Sequence, residues 1–426
     1  MSVRETFEAP AAAMTPAAGR QRWLVVILLF CAMLINYVDR GNLSIVAVPL
    51  MKEFGLSPTM MGTLLSAFFW TYACLQVPAG YLVDRFGLKW TYATAFVLWS
   101  LASAAVGMAS SFQQILLLRM ALGVGEAVAP PASLSYIRRS FREHEQGIPT
   151  AIYVSGMTLG PAAGALLGAA MLSTWGWRAL FVVTGLGALV WLIPWFLLAP
   201  AGKPNARPAR AAKGAPLPWR LLIGTPTFWG ITIGAFFYSY FSFFCLTWLP
   251  SYLVMERGYS FLKMGLYTAA PYVGTVVVSF SSARIADRLI ARKGRPMHIR
   301  RLFVAGGFVA GSAILLLLVF ESSEAVLMTL MFSLFGIGLA SSNFWALTEA
   351  ISPARLAGRI IGYQNMIASL GGLCAPILTG ILVDRTKNFS MSILFAGGAL
   401  LVGAAAYLVL LRERDVQALM EHFPEA

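Results

Sequence analysis

Apolar residues run in stretches of about 20 along almost the whole chain, and polar residues gather in the gaps between them. A helix that crosses a bilayer needs about 20 such residues. Twelve stretches qualify, at 23–49, 58–83, 90–109, 112–136, 148–172, 177–199, 226–254, 261–283, 302–320, 325–348, 359–382 and 390–411. The pattern predicts an all-α membrane protein in which these segments are spanning helices. The longest interruption, 200–220, carries Pro200, Pro204, Pro208, Pro216 and Pro218 with five basic residues and no acidic one, and reads as a flexible cytoplasmic linker. It divides the chain into a tail (1–22), a six-helix half (23–199), a second six-helix half (221–411) and a closing tail (412–426).

Two polar interruptions fall inside apolar segments instead of between them. Asp39 and Arg40 lie in the first segment, and Arg119 and Glu126 in the fourth. A charge at bilayer depth costs about 2.5–3.5 kcal/mol on insertion scales, so these four residues mark a buried polar site. Arg119 and Glu126 are about two turns apart and share one helix face, whereas Asp39 and Arg40 point about 100° apart. One or both can reach the fourth helix if the two helices are neighbours. The four charges sum to zero. A bound carboxylate would add one negative charge and favour proton uptake by Asp39 or Glu126. Arg40, with a planar fork that matches a carboxylate, is the expected anion clamp. Arg119 either touches the anion or holds Glu126. Two permanent ion pairs fixing helix to helix are the structural alternative.

Composition supports this picture. The chain is 58% hydrophobic and 12% charged, with a net charge of +14. The basic charge follows topology: with both termini in the cytoplasm, 24 of the 32 Lys and Arg residues fall on that side, six on the other and two within the membrane. This distribution needs no nucleic acid to explain it. Cys31, Cys74, Cys245 and Cys374 lie in apolar segments without metal-type spacing. His144, His298 and His422 all fall in loops or the tail. Without a base, a metal cluster or a carboxylate dyad at depth, an enzyme is not expected, nor a cofactor or a resident metal.

The two halves echo each other. Gly80-Tyr81-Leu82-Val83-Asp84-Arg85-Phe86-Gly87-Leu88-Lys89 follows the second segment, and Ala283-Arg284-Ile285-Ala286-Asp287-Arg288 follows the eighth. Parallel repeats of this kind occur in transporters, with the substrate site at mid-depth between them. Gly156, Gly160, Gly164 and Gly168, spaced four apart, give the fifth helix a smooth face, either for tight static packing or as a seam on which the halves rock.

The Gly80–Lys89 loop resembles the signature loop of the major facilitator superfamily, and Arg119-Met120-Ala121-Leu122-Gly123-Val124-Gly125 resembles its helix-4 motif. Asn36-Tyr37-Val38-Asp39-Arg40, Phe69-Trp70-Thr71-Tyr72, Gln76-Val77-Pro78-Ala79-Gly80 and Thr247-Trp248-Leu249-Pro250-Ser251-Tyr252, with Tyr240, resemble the anion:cation symporter family within it. The resemblance covers about residues 23–411. It implies two six-helix bundles in the cell inner membrane and proton-coupled import of a small organic anion, such as a sugar acid, by a monomer. It also implies protonation at Asp39 and Glu126, and favours Tyr37, Tyr72 and Trp345 as pocket residues. Ser342 and Asn365 join them as candidates that serve either packing or substrate. The chain departs from the family's sugar-acid carriers at Met157, where Gln is frequent, and at Ser369, where Asn is frequent. Both changes reduce hydrogen-bonding capacity, which favours a less hydroxylated or an aromatic carboxylate. Asp84, Arg85, Asp287 and Arg288 are expected either to form ion pairs between the halves that close the inner gate, or to serve topology and loop capping. A phosphate-ester antiporter, the exchange alternative on the same fold, would be expected to place an arginine from each half in the site, whereas both deep arginines here lie in the first half. A non-transporting sensor would need no buried carboxylates.

Overall fold

The computed structural model describes residues 16–142, 145–200 and 222–423. Most of the expected N-terminal tail, the linker beyond Pro200, His144 and the last three residues lie outside them. Among the described residues, nine helices are long and apolar enough to cross a membrane. One of these, the 52-residue run Gly147–Leu198, is far too long for a single crossing. It breaks at Gly176, which sits at φ +80, so that 147–175 and 177–198 form two antiparallel helices. Pro58–Phe86, which carries Pro78 within it, and the shorter Leu88–Val106 complete twelve segments.

In chain order the spanning helices are α1 (Pro16–Ile45), α2 (Pro58–Phe86), α3 (Leu88–Val106), α4 (Phe112–Ser140), α5 (147–175), α6 (177–198), α7 (Pro226–Met255), α8 (Phe261–Lys293), α9 (Pro296–Leu318), α10 (Ser323–Ala350), α11 (Ala354–Thr386) and α12 (Ser390–Leu410). Several starts are set locally by hydroxyl caps. The side chains of Ser57, Ser111, Thr225, Ser260 and Ser322 each accept a hydrogen bond from the backbone N–H three residues on, which satisfies a donor the helix itself leaves orphaned. Pro58 and Pro226 then occupy the first turn, where no N–H is needed.

Within the first half α1 packs on α5, and α4 packs on α2 and α3; within the second, α7 packs on α11 and α12, α8 on α10, and α9 on α10 and α12. The halves meet through α1–α7, α2–α11 and α5–α8. The Gly156, Gly160, Gly164 and Gly168 face fits the first of its two expectations, tight packing. It lies against Leu34, Tyr37, Val38 and Ile45 of α1, inside one half, and so is not the seam between the halves. Spacing of four marks a close approach without naming the partner. The seam itself uses Gly265 of α8, where an added Cβ would fall 2.5 Å from the Cβ of Ala169.

These contacts gather at one end. We call the end carrying the chain termini the terminus face and the opposite end the far face. At the far face a continuous apolar core joins the halves, with Leu43, Leu50 and Leu64 in the same cluster as Trp248, Leu249 and Leu253. Ser44 Oγ also donates across to the Thr247 carbonyl at 2.5 Å. Toward the terminus face the first half has a separate core, rich in Tyr92, Phe96, Trp99, Trp191 and Trp195.

Candidate functional site

Between the halves lies a cavity of about 550 Å³. Its lining comes from the later part of α1, level with mid-helix α5 where Gly160 meets Tyr37, from the middle of α2, α7 and α8, the later part of α10, and the early parts of α5 and α11. All of these positions lie from mid-depth toward the terminus face, so the cavity belongs to that side and the apolar core closes it on the other.

Arg40 is the one charged residue in the lining among the described residues. Its Nε donates to Glu126 Oε2 at 2.7 Å. Its guanidinium carbon lies 4.6, 4.4 and 4.7 Å from the ring centroids of Tyr37, Phe68 and Tyr72. Three aromatic faces therefore hold the cation in place. Arg40 is 6% exposed and Glu126 is 0% exposed, so the arginine stands between the cavity and the carboxylate. Asn36 sits beside Glu126 in the same layer.

Asp39 points away from this pair. Its Oδ1 accepts from Ser103 Oγ of α3 at 2.7 Å, and Arg119 Nη1 donates to its backbone carbonyl at 3.4 Å. Neither Asp39 nor Arg119 lines the cavity. Of the two expectations for Arg119, contact with the anion does not fit, because the residue does not line the cavity. It shares the helix face of Glu126 and lies close enough for its charge to act on that carboxylate, whose ion pair is with Arg40, while Arg119 Nη1 donates to the α1 backbone. The long side chain of Arg40 spans the distance from α1, whose backbone lies against α5.

The other candidate pocket residues, Tyr37, Tyr72, Met157, Ser342, Trp345, Asn365 and Ser369, all line the cavity. Asn365 Nδ2 donates across the halves to Gln76 Oε1 at 3.4 Å, Ser369 Oγ donates to the Asn365 carbonyl at 2.9 Å, and Ser342 Oγ donates to the Ser279 carbonyl at 3.1 Å. Residues not singled out from sequence complete the site: Phe68 behind Arg40, Ser103 on Asp39, and Tyr238, Phe243 and Tyr272 on the opposite wall. A lone serine or aromatic residue in an apolar segment carries no signal that would have found them.

The four loop residues are not joined between the halves in this structure. Asp84 pairs with Arg139 at 2.7 Å and Asp287 with Arg300 at 2.8 Å, each within its own half. Arg85 lies over the ring of Phe86, and Arg288 makes no inter-half ion pair among the described residues. Each of these carboxylates is thus engaged by an arginine of its own half.

The arrangement is a mid-depth cavity between two helical halves, with one cation in its wall. The model of the Major Facilitator Superfamily matches residues 29–376, most of the chain. This chain belongs to the major facilitator superfamily. Among curated proteins, a probable L-galactonate transporter of Escherichia coli (strain K12) is 31% identical over 408 residues, 91% of this chain and 89% of that protein. A hexuronate transporter of Bacillus subtilis (strain 168) is 30% identical over 400 residues, 91% of this chain and 94% of that protein. A solved bacterial homologue of the human lysosomal transporter Spinster, in an inward-facing and unoccupied conformation, matches with a TM-score of 0.78 at 19% identity, covering 96% of this chain and 99% of that one. That likeness shows the superfamily fold. The chain is a multi-pass membrane protein of a transporter family, and its named relatives are organic-anion transporters, not enzymes.

Proposed function

We propose that this protein is a proton-coupled symporter that imports a small organic anion, a carboxylate, across the cell inner membrane by alternating access. The observation that carries the reading is the position of Arg40, with the cavity on one side and Glu126 on the other. A guanidinium bound through Nε to one carboxylate still has both Nη groups for a second. An anion docking there competes with Glu126 for the same positive charge. It therefore favours the protonated form of Glu126, and by linkage a proton on Glu126 favours the anion. Asp39, held by Ser103 in the layer behind, is the second proton site. Arg119 positions Asp39 and does not touch the substrate.

Positive-inside asymmetry supports a cytoplasmic position for both termini, and hence for the terminus face; on that reading this conformation is inward-facing. Closure of that face would bring the Asp84-Arg85 and Asp287-Arg288 loops within reach of the other half. The protein works as a monomer in the lipid bilayer, with protons as the coupling ion and no cofactor. Relatives named for galactonate and hexuronate support an organic acid as cargo.

The test is uptake into proteoliposomes across sugar acids, short hydroxy acids and aromatic acids, with and without an inward proton gradient. Symport requires accumulation that follows the gradient. Uptake indifferent to the gradient, but stimulated by an anion trapped inside, would favour the second reading, anion exchange. Binding without uptake would favour a sensor. The buried carboxylates on α1 and α4, which exchange and sensing do not need, favour symport.

A further inference from the structure

The same punctuation closes two helices at opposite ends of the molecule. α2 opens on Leu56-Ser57-Pro58-Thr59 and ends on Gly80-Tyr81-Leu82-Val83-Asp84-Arg85. α11 opens on Ile351-Ser352-Pro353-Ala354 and ends on Gly380-Ile381-Leu382-Val383-Asp384-Arg385. The two helices pack antiparallel between the halves, so the start of α2 meets the end of α11 at the far face.

There the two segments interlock. A Cβ built on Gly380 would fall 2.4 Å from the Pro58 carbonyl oxygen, and one on Gly62 would fall 2.4 Å from the Pro376 carbonyl oxygen. Only glycine permits this reciprocal approach of backbones. Thr59 Oγ1 then donates to Asp384 Oδ2 at 2.8 Å, and Lys387 Nζ donates to Asp384 Oδ1 at 3.0 Å. Asp384 thus sits at the N-terminus of a helix from the other half, where the exposed N–H groups favour a negative charge.

At the terminus face the equivalent contacts are not made among the described residues. Gly80 has no neighbouring atom within 4 Å of where its Cβ would be. Asp84 is paired to Arg139 of its own half, and Ser352 Oγ donates back to the Thr348 carbonyl of α10 at 2.6 Å. One closed and one open copy in a single structure separate what the segment does when engaged from its intrinsic conformation.

We propose that the Gly380–Asp384 segment of α11, clasped on Ser57-Pro58-Thr59 of α2, is the latch that keeps the far face shut, and that its release opens the cavity to that side. The latch depends neither on proton coupling nor on the identity of the cargo. Gly380→Leu places a side chain where the Pro58 carbonyl lies, so it fits only when the two ends part. Asp384→Asn and Thr59→Val remove the charge and the donor at nearly constant volume.

The experiment is hydrogen–deuterium exchange on the full-length protein in detergent or nanodiscs, with a thermal-unfolding scan of each variant. Gly380→Leu is expected to speed exchange at the far-face ends of α2, α5, α8 and α11 and to slow it at their terminus-face ends. Asp384→Asn and Thr59→Val are expected to change both in the same directions by less. A latch weakened by about 1.4 kcal/mol shifts the open population roughly tenfold. Opposite changes at the two faces in folded protein support the latch. Unchanged exchange at both faces, or faster exchange at both, overturns it. Should Gly380→Leu fail to fold, the two near-isosteric variants decide the matter by the same readout.

Discussion

The two walls of the cavity are built on different principles. The wall from the first half carries the charge: Arg40 is fixed by Glu126 and by three rings, and Asp39 and Arg119 lie in the layer behind it. The wall from the second half carries no charge among the described residues. Apart from the Asn365 amide, which donates to Gln76, and the polar tips of Tyr238, Tyr272 and Trp345, its polar groups are small hydroxyls, several of which donate to helix carbonyls, as Ser242 does to Tyr238 at 2.8 Å, Thr275 to Pro271 at 2.8 Å and Ser369 to Asn365 at 2.9 Å. A hydroxyl whose proton is already placed on a carbonyl offers the cavity only its acceptor lone pairs, and it leaves no unpaired donor when the cargo offers nothing in return. The first wall therefore fixes the sign of the cargo's charge. The second wall tolerates different bodies behind that charge.

The most direct way to break this contrast is to blunt the first wall. Arg40→Lys keeps the positive charge but loses the planar fork and the stacking between rings. A point charge on a flexible stem cannot serve Glu126 and a substrate carboxylate together in the same geometry. A charge-assisted hydrogen bond contributes about 1.5–3 kcal/mol, so kcat/KM for uptake should fall roughly 10–100-fold for every acid tested, hydroxylated or not. A loss confined to one class of acid would show that Arg40 reads the body of the cargo and would undo the division between walls.

A second variant separates binding from coupling within the first wall. Glu126→Gln retains an oxygen that can accept from Arg40 Nε but cannot lose a proton. At an imposed difference of one pH unit, a single coupled proton supplies about 1.4 kcal/mol, enough for roughly tenfold accumulation. That accumulation should collapse to equilibration in Glu126→Gln, while exchange of labelled for unlabelled substrate continues. Asp39→Asn preserves the bond from Ser103 and tests whether a second proton moves; a smaller loss than in Glu126→Gln is expected. Accumulation persisting in both variants would place the proton elsewhere.

The sequence shows the fold and the charged layer for the same reason. Apolar runs of bilayer length leave little room for polar residues, so Asp39, Arg40, Arg119 and Glu126 stand out without any structural knowledge. Pairing is harder to read. The seven-residue spacing of Arg119 and Glu126 gives a shared face, but whether Arg119 or Arg40 pairs with the carboxylate depends on how α1 is rotated, which is set by its packing on α5. The four glycines of α5 announce a close approach, yet nothing along the chain says that the neighbour is α1 and not the other half. The contact of Thr59 with Asp384 joins residues 325 positions apart, and no local pattern reports it. What sequence periodicity conveys is which face of a helix is special; the identity of its partner is a property of the assembled bundle.

The smallest expected effect, and the one that sharpens the contrast most, comes from changing what the cavity offers a hydroxylated cargo. Met157, in the early part of α5, presents a thioether that is at best a weak acceptor. Ser369 already donates its proton to Asn365. The pair Met157→Gln and Ser369→Asn adds two amides, each with donors and an acceptor. A typical net hydrogen bond contributes about 0.5–1.5 kcal/mol, so one such bond gained in the double variant should shift the ratio of kcat/KM toward polyhydroxylated over apolar acids by roughly 2–10-fold. The absolute rate for an apolar acid should fall at the same time, because unpaired amides then face an apolar body. Competition of a hydroxylated acid and an aromatic acid for uptake of one labelled cargo measures the ratio directly. If both residues are exchanged, uptake remains intact and the ratio does not move, then selectivity resides in the aromatic faces of Tyr238, Phe243 and Tyr272, and the cavity selects the body of the cargo by shape instead of by hydrogen bonding.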